Sequence, residues 1–191
     1  EDKGAFPYVR KGGVGLARKS PRREVVGKTP AERAAIRAMR KKDGVFTFVN
    51  GGGSGDRIRV RLGTETTDAD LVQLQQIAGL DGVTLDFCRQ ISDAGLAHLK
   101  QLPQLREVKL PFTNIGDAGL AQLGSLPGLE VLDLTKTRIT DAGLAHLKGL
   151  ARLKWLFLSG TAVSDAGLQH LAGLSAWKTC AWTTRRSATP G

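Results

Sequence analysis

The stretch that decides the fold lies between Leu129 and Leu174, where LEVLDLTKTRITDAGLAHLKGL (129–150) is followed, after Ala151 and Arg152, by LKWLFLSGTAVSDAGLQHLAGL (153–174). The second segment restates the first position by position. Leu129, Leu132, Leu134, Thr137, Ile139, Asp141, Leu144, Leu147 and Leu150 return as Leu153, Leu156, Leu158, Thr161, Val163, Asp165, Leu168, Leu171 and Leu174. Working toward the N-terminus, the string D-A-G-L also begins at Asp117 and Asp93, so four copies share a constant 24-residue period. Self-similarity at such a period is the mark of a stacked repeat array.

The two spacings inside one copy give its local structure. Leu132 and Leu134 lie two apart, on one face of a short strand. Leu144, Leu147 and Leu150 lie three apart, on the inner face of a short helix or helical turn. Thr140 and Asp141 place a hydroxyl and a carboxylate at the start of that helix, where free amides need acceptors. Gly95, Gly119, Gly143 and Gly167 recur inside the helix, where glycine costs about 1 kcal/mol against alanine. Their reuse at one register predicts close backbone packing against the neighbouring coil. A single strand-helix unit cannot bury its leucines, whereas stacked copies can.

The pattern extends beyond the clear copies. Val83, Leu85, Cys88 and Ile91 form an earlier strand and turn that is one residue longer, and Ile58, Val60 and Leu62 form another, followed by a degenerate helix at Asp68–Leu71. Trp177, Cys180 and Trp182 stand where leucines stand one repeat before, and Arg185 replaces the threonine that would continue the stack. Six strands are expected, near residues 58, 83, 108, 132, 156 and 180. Thr29-Pro30-Ala31-Glu32 opens a helix expected to run to about Lys42, with Ala34, Ile36, Ala38 and Met39 covering the first coil. Asp43-Gly44 turns into an apolar strand, Val45 to Val49. The expected division is a basic, extended arm (1–28), an N-terminal cap (29–56), the repeat array (57–184) and a short tail (185–191).

On these residues the sequence resembles bacterial leucine-rich repeat proteins built on T-D-A-G-L-x-x-L-x-x-L, which are similar to cysteine-containing and ribonuclease-inhibitor-like repeats. The resemblance covers about residues 57–184. It implies an α/β right-handed solenoid with a concave parallel sheet and short convex helices, which the N-terminal helix read from Thr29 onward would cap. It also implies protein recognition through the concave face.

Composition narrows the function classes. Among 191 residues, 41% are hydrophobic and 24% charged, ordinary values for a folded chain. No run approaches the roughly 18 consecutive apolar residues of a spanning helix, and no signal-peptide pattern is present. The chain opens on Glu1, which reads as a processed or trimmed form, soluble and either cytoplasmic or exported. The net charge of +10 is uneven: residues 1–43 carry 13 Lys/Arg against 5 Asp/Glu. Arg10, Lys11, Arg18, Lys19, Arg22 and Arg23 make the arm a candidate anchor for acidic protein or phosphates. Only Phe6 and Tyr8 interleave with them, which argues against base readout.

Nothing points to catalysis. Gly51–Gly55 lacks the lysine-serine/threonine ending of a phosphate loop and reads as a linker. His98, His146 and His170 share one helical register, broken by Gln122, on the solvent side with no third ligand, so no metal and no cofactor are expected. Cys88 and Cys180 sit four strands apart, about 19 Å, too far for a disulfide. Both are expected to be buried and unpaired, with Cys88 at the place held by Thr113, Thr137 and Thr161.

The concave face is the expected working surface. Its outward positions include Glu107, Lys109, Asp133, Trp155 and Phe157, with Arg59 and Arg61 as a positive rim. Trp155 and Phe157 are expected to be exposed side by side, as aromatic anchors of a protein partner. A non-enzymatic protein-interaction module is therefore the leading expectation, with no small-molecule substrate. The alternative is an assembly subunit or nucleic-acid-associated protein anchored by the basic arm.

Overall fold

A computed structural model describes residues 27–49, 57–174 and 179–181. The basic arm, the Gly51–Gly55 linker, Trp177, Trp182 and the C-terminal tail lie outside the described residues.

Seven strands form one sheet in sequence order: β1 (Val45–Val49), β2 (Arg57–Arg61), β3 (Leu80–Thr84), β4 (Glu107–Lys109), β5 (Val131–Asp133), β6 (Trp155–Phe157) and β7 (Thr179–Ala181). Strands β2 to β7 are parallel and are the six the repeat demands. β1 adds an antiparallel edge through its pairing with β2. Neighbouring D-A-G-L strands pair in register, Val131 with Trp155 and Asp133 with Phe157, because the equal repeats superpose residue on residue.

Helices α1 (Pro30–Arg40), α2 (Asp68–Gln73), α3 (Asp117–Leu123), α4 (Asp141–Leu144) and α5 (Asp165–Leu168) are short. After α4 and α5 the coil tightens into 3-10 turns, and the second repeat uses a 3-10 segment throughout, Gly95–Gln101. The leucines meet in one continuous core: Leu132, Leu134, Leu144, Leu147 and Leu150 have no exposed surface. Each such burial contributes about 2 kcal/mol.

Two columns of hydrogen bonds brace the coils. Thr113, Thr137 and Thr161 donate their hydroxyls to the carbonyls of Leu110, Leu134 and Leu158 at 2.6–2.8 Å, three residues back. Thr66 does the same toward Gly63 in the first coil. Cys88 occupies this place in the longer repeat, where its thiol approaches the Gly63 carbonyl at 3.2 Å. Burial pushes the thiol up to about 11, so it stays protonated at neutral pH, and it is unpaired.

The aspartate of D-A-G-L does not serve mainly its own helix. Asp117 accepts from the Thr140 amide and hydroxyl at 2.9 and 2.6 Å, and Asp141 does the same for Ser164. Asp68 holds Ser92 in the same way, and Asp93 takes the Gly116 amide. Each carboxylate thus ties one coil to the start of the next helix. The glycine column makes room for it. A Cβ on Gly119 would stand 2.5 Å from Asp93 Oδ1, and one on Gly95, Gly143 or Gly167 would collide with the equivalent oxygen of Asp68, Asp117 or Asp141. The close approach expected for these glycines is therefore to a side chain of the preceding coil rather than chiefly to its backbone.

α1 begins as expected, with Thr29 Oγ1 accepting from the Glu32 amide at 3.1 Å, but it ends at Arg40, before the left-handed turn at Asp43 (φ 59°). Its buried face is Glu32, Ala35, Ile36 and Met39, while Ala34 and Ala38 face outward. The residues 32, 35, 36 and 39 follow helical spacing, which Ala34 and Ala38 break. Glu32 also accepts from the Ala78 amide at 3.1 Å, joining the helix to the first coil.

Candidate protein-binding surface

The concave surface divides into two chemically different halves. Over β2 to β4 it is plated by ion pairs. The register between β2 and β3 slips after Ile58, which pairs with Leu80 while Arg59 pairs with Gly82. Asp81 is the extra residue of this bulge, and a bulge re-aims its side chain. Its carboxylate faces Arg57 Nε at 3.3 Å and Arg59 Nε at 3.6 Å as charge contacts without hydrogen-bond geometry. Burial holds Asp81 above the ordinary aspartate value against the pull of Arg59 and Arg57.

Arg59 continues across Gly82, where a Cβ would stand 2.8 Å from its Cγ, and reaches Glu107 at 2.7 Å. Lys109 closes on the other oxygen of Glu107, also at 2.7 Å. Glu107 is thereby only 4% exposed. Glu107, expected among the outward positions that meet a partner, lies on the sheet face with its carboxylate enclosed by two cations. Arg61 is more open and pairs with Asp86 at 2.9 Å.

Over β5 and β6 the face is mainly apolar. Val131, Trp155 and Phe157 occupy adjoining outward positions, with Asp133 beside Phe157. Trp155 and Phe157 are half-buried rather than fully exposed. Strands lie about 4.8 Å apart, narrower than an aromatic side chain, so a ring on this face is not fully exposed. Asp133 accepts from the Thr135 amide at 2.9 Å, a local turn contact. The structure thus places Trp155, Phe157 and Asp133 together, and Arg59, Glu107 and Lys109 in a separate network.

The sequence reading missed the bulge at Asp81, since nothing in the local pattern marks it. It also missed the rim column Phe87, Phe112 and Lys136, all at left-handed φ of 55–59°. Phe87 and Phe112 stack with centroids 4.4 Å apart, Lys136 lies 5.6 Å from the Phe112 ring, and Phe87 is 46% exposed. The recurrence of Phe one residue before Cys88 and Thr113 was the available signal.

At the opposite ends of the strands, Glu130 takes Arg106 and Lys154, each at 2.8 Å. The Lys154 hydrogen bond, followed by the other contacts of these two cations, holds Glu130 below its ordinary value of 4.5. A carboxyl with a lowered folded-state pKa adds stability above its unfolded value, which is lost as pH falls through the folded one. Glu130→Gln should therefore destabilise by about 1 kcal/mol at pH 7. In urea titrations the gap from wild type should close below pH 4.5. A gap that stays constant with pH would show that these pairs add nothing.

Among the described residues, no group of three or more His, Cys, Asp or Glu is placed to hold a metal, and no helix is long and apolar enough to cross a membrane.

These features define a leucine-rich repeat solenoid. Residues 103–163 match the leucine-rich repeat family. The chain is similar to internalin C2 from Listeria monocytogenes, with 24% identity and a TM-score of 0.50 over 59% of this chain and 46% of that one. It is also similar to a second Listeria internalin (20% identity, TM-score 0.43, 60% and 38% covered). The receptor kinase SOBIR1 ectodomain of Arabidopsis thaliana matches at 11% identity and a TM-score of 0.49, covering 82% and 93%. The chain spans less than half the length of either internalin it matches. No curated protein matches the sequence.

Proposed function

We propose that the protein is a non-enzymatic binding module that holds another protein against the apolar half of its concave face, with Trp155 and Phe157 as anchors and Asp133 at their edge. The observation that carries this reading is the division of the sheet. β2 to β4 are covered by ion pairs among their own charged side chains, whereas Val131, Trp155 and Phe157 present a contiguous apolar surface. Solenoids of this class commonly use such concave surfaces for protein recognition. Half-buried aromatics on a rigid sheet combine a large contact area with little ordering cost on binding. Arg61, exposed at the far end of the face, and the Arg59–Glu107–Lys109 network would orient the partner more than hold it.

The test begins with capture and identification of the partner from the source organism. Calorimetry then compares the wild type with Trp155→Ala and with residues 29–191. The expected result is a loss of affinity of about thirtyfold in Trp155→Ala, about 2 kcal/mol, with an unchanged circular dichroism spectrum. Unchanged affinity in the folded variant would remove Trp155 from the interface. Loss of affinity in 29–191 alone would transfer the anchoring role to the basic arm, Arg10 to Arg23.

A further inference from the structure

The rim at the N-terminal ends of the strands holds a depression of about 300 Å³, lined among others by Arg57, Asp81, Gln104, Arg106, Gly128 and Arg152. Gln104, Gly128 and Arg152 hold the same place in successive repeats. Glycine at the middle one leaves the floor open between its neighbours; a Cβ there would approach the Pro103 carbonyl at 3.1 Å.

The three arginines come from alternate coils: Arg57 from β2, Arg106 from the residue before β4 and Arg152 from the turn before β6. Their backbones are spread over four strand spacings, about 19 Å. Among the described residues, Arg57 and Arg106 are ion-paired but leave several guanidinium donors without a hydrogen bond. Arg106 gives one Nη1 contact to Glu130, and Arg57 Nε meets Asp81 without forming a hydrogen bond. Arg152 is exposed and has no hydrogen-bond or ion-pair partner among the described residues. The one carboxylate in the lining, Asp81, is buried and faces Arg57 and Arg59.

We propose that this depression docks an acidic peptide segment of the protein partner, with successive carboxylates taken by Arg152, Arg106 and Arg57. Guanidinium groups offer paired donors that match a carboxylate. The spread over alternate coils suits a chain of carboxylates on an extended backbone better than one small anion. This rests on the reading of the chain as a protein-binding module, yet it uses a surface apart from Trp155 and Phe157.

The probe is N-acetyl-hexaglutamate amide, titrated into the ¹⁵N-labelled chain, residues 1–191. Saturable shifts are expected at the Nε–H signals of Arg57, Arg106 and Arg152 and at the Gly128 amide. Arg152→Glu should weaken the affinity at least tenfold while keeping a native-like spectrum. Arg152→Gln, which adds no charge, should weaken it about threefold and serves if the glutamate variant misfolds. Affinity should fall as salt rises. Shifts confined to residues 1–28, or an Arg152 variant that binds as wild type, would overturn the proposal. Inorganic phosphate moving the same signals at equal or lower concentration would also overturn it, making the depression a small-oxyanion site. Trp155→Ala should leave hexaglutamate binding unchanged. Loss of the natural partner in that variant without any hexaglutamate binding in the wild type defeats this inference alone. The reverse pattern defeats the concave-face reading alone.

Discussion

Gly143→Ala is expected to lower stability by about 2 kcal/mol, near the middle of the range for overpacking a tight site. Helix propensity alone gives the opposite sign, since alanine in a helix interior is favoured over glycine by about 1 kcal/mol. The new methyl would collide with Asp117 Oδ1, the oxygen that accepts the Thr140 amide. Asp117 cannot retreat without giving up that amide and the Thr140 hydroxyl together. The same coil supplies the control, because a Cβ on Gly149 meets nothing within 4 Å. Gly149→Ala should be neutral or stabilising by about 0.5 kcal/mol through the unfolded chain. In thermal melts Gly143→Ala should therefore fall by about 6 °C for a chain of this size, while Gly149→Ala matches or slightly exceeds the wild type. Equal melting temperatures would mean that the aspartate-glycine column does not brace the stack.

Arg59→Ala should cost about 3 kcal/mol, at the lower end of what breaking a buried pair costs, because Lys109 remains on Glu107. The arginine touches two carboxylates that are almost fully buried, Asp81 and Glu107. Its removal leaves Asp81 with Arg57 alone among its direct ion-pair partners and opens the space above Gly82. The pH dependence gives an independent check. Burial already raises Asp81 in the wild type, and loss of Arg59 raises it further. A carboxyl whose folded-state pKa is raised destabilises the fold above that pKa, and the penalty fades as pH falls toward the unfolded value. The gap between wild type and Arg59→Ala should thus be widest near neutral pH and narrow toward pH 4. Adding Asp81→Asn to Arg59→Ala should recover part of the loss, because burial disfavours the Asp81 charge and Arg57 alone then faces it. A cost below 1 kcal/mol at neutral pH would show the network to be solvent-screened despite its burial.

These effects bear on recognition as well as stability. The charge network pairs the charged side chains of β2 to β4 with one another, and the proposed partner surface therefore lies over β5 and β6. A variant that opens the network, such as Arg59→Ala, leaves Asp81 and Glu107 with one cation each on the same sheet that carries Trp155 and Phe157. Partner affinity and stability are therefore best measured together in that variant.

The sequence by itself determined the architecture. The paired leucine spacings in Leu129–Leu174 demand strand, turn and short helix in each repeat, and the constant period demands that the copies stack in register. Such periodic burial is a local property repeated many times, so it is legible without knowing what each coil touches. It also placed Trp155, Phe157 and Asp133 on one face, because side chains alternate along a strand. What only the tertiary structure decided lies between coils. Asp117 appears in the sequence as a cap for its own helix, yet its carboxylate binds Thr140 of the next. Glu107 alternates outward like its neighbours, yet Arg59 reaches across Gly82 and encloses it. Asp81 faces the arginines only because the register slips after Ile58. Long polar side chains reach across the roughly 4.8 Å between strands, so their partners are fixed by stacking rather than by position within a repeat.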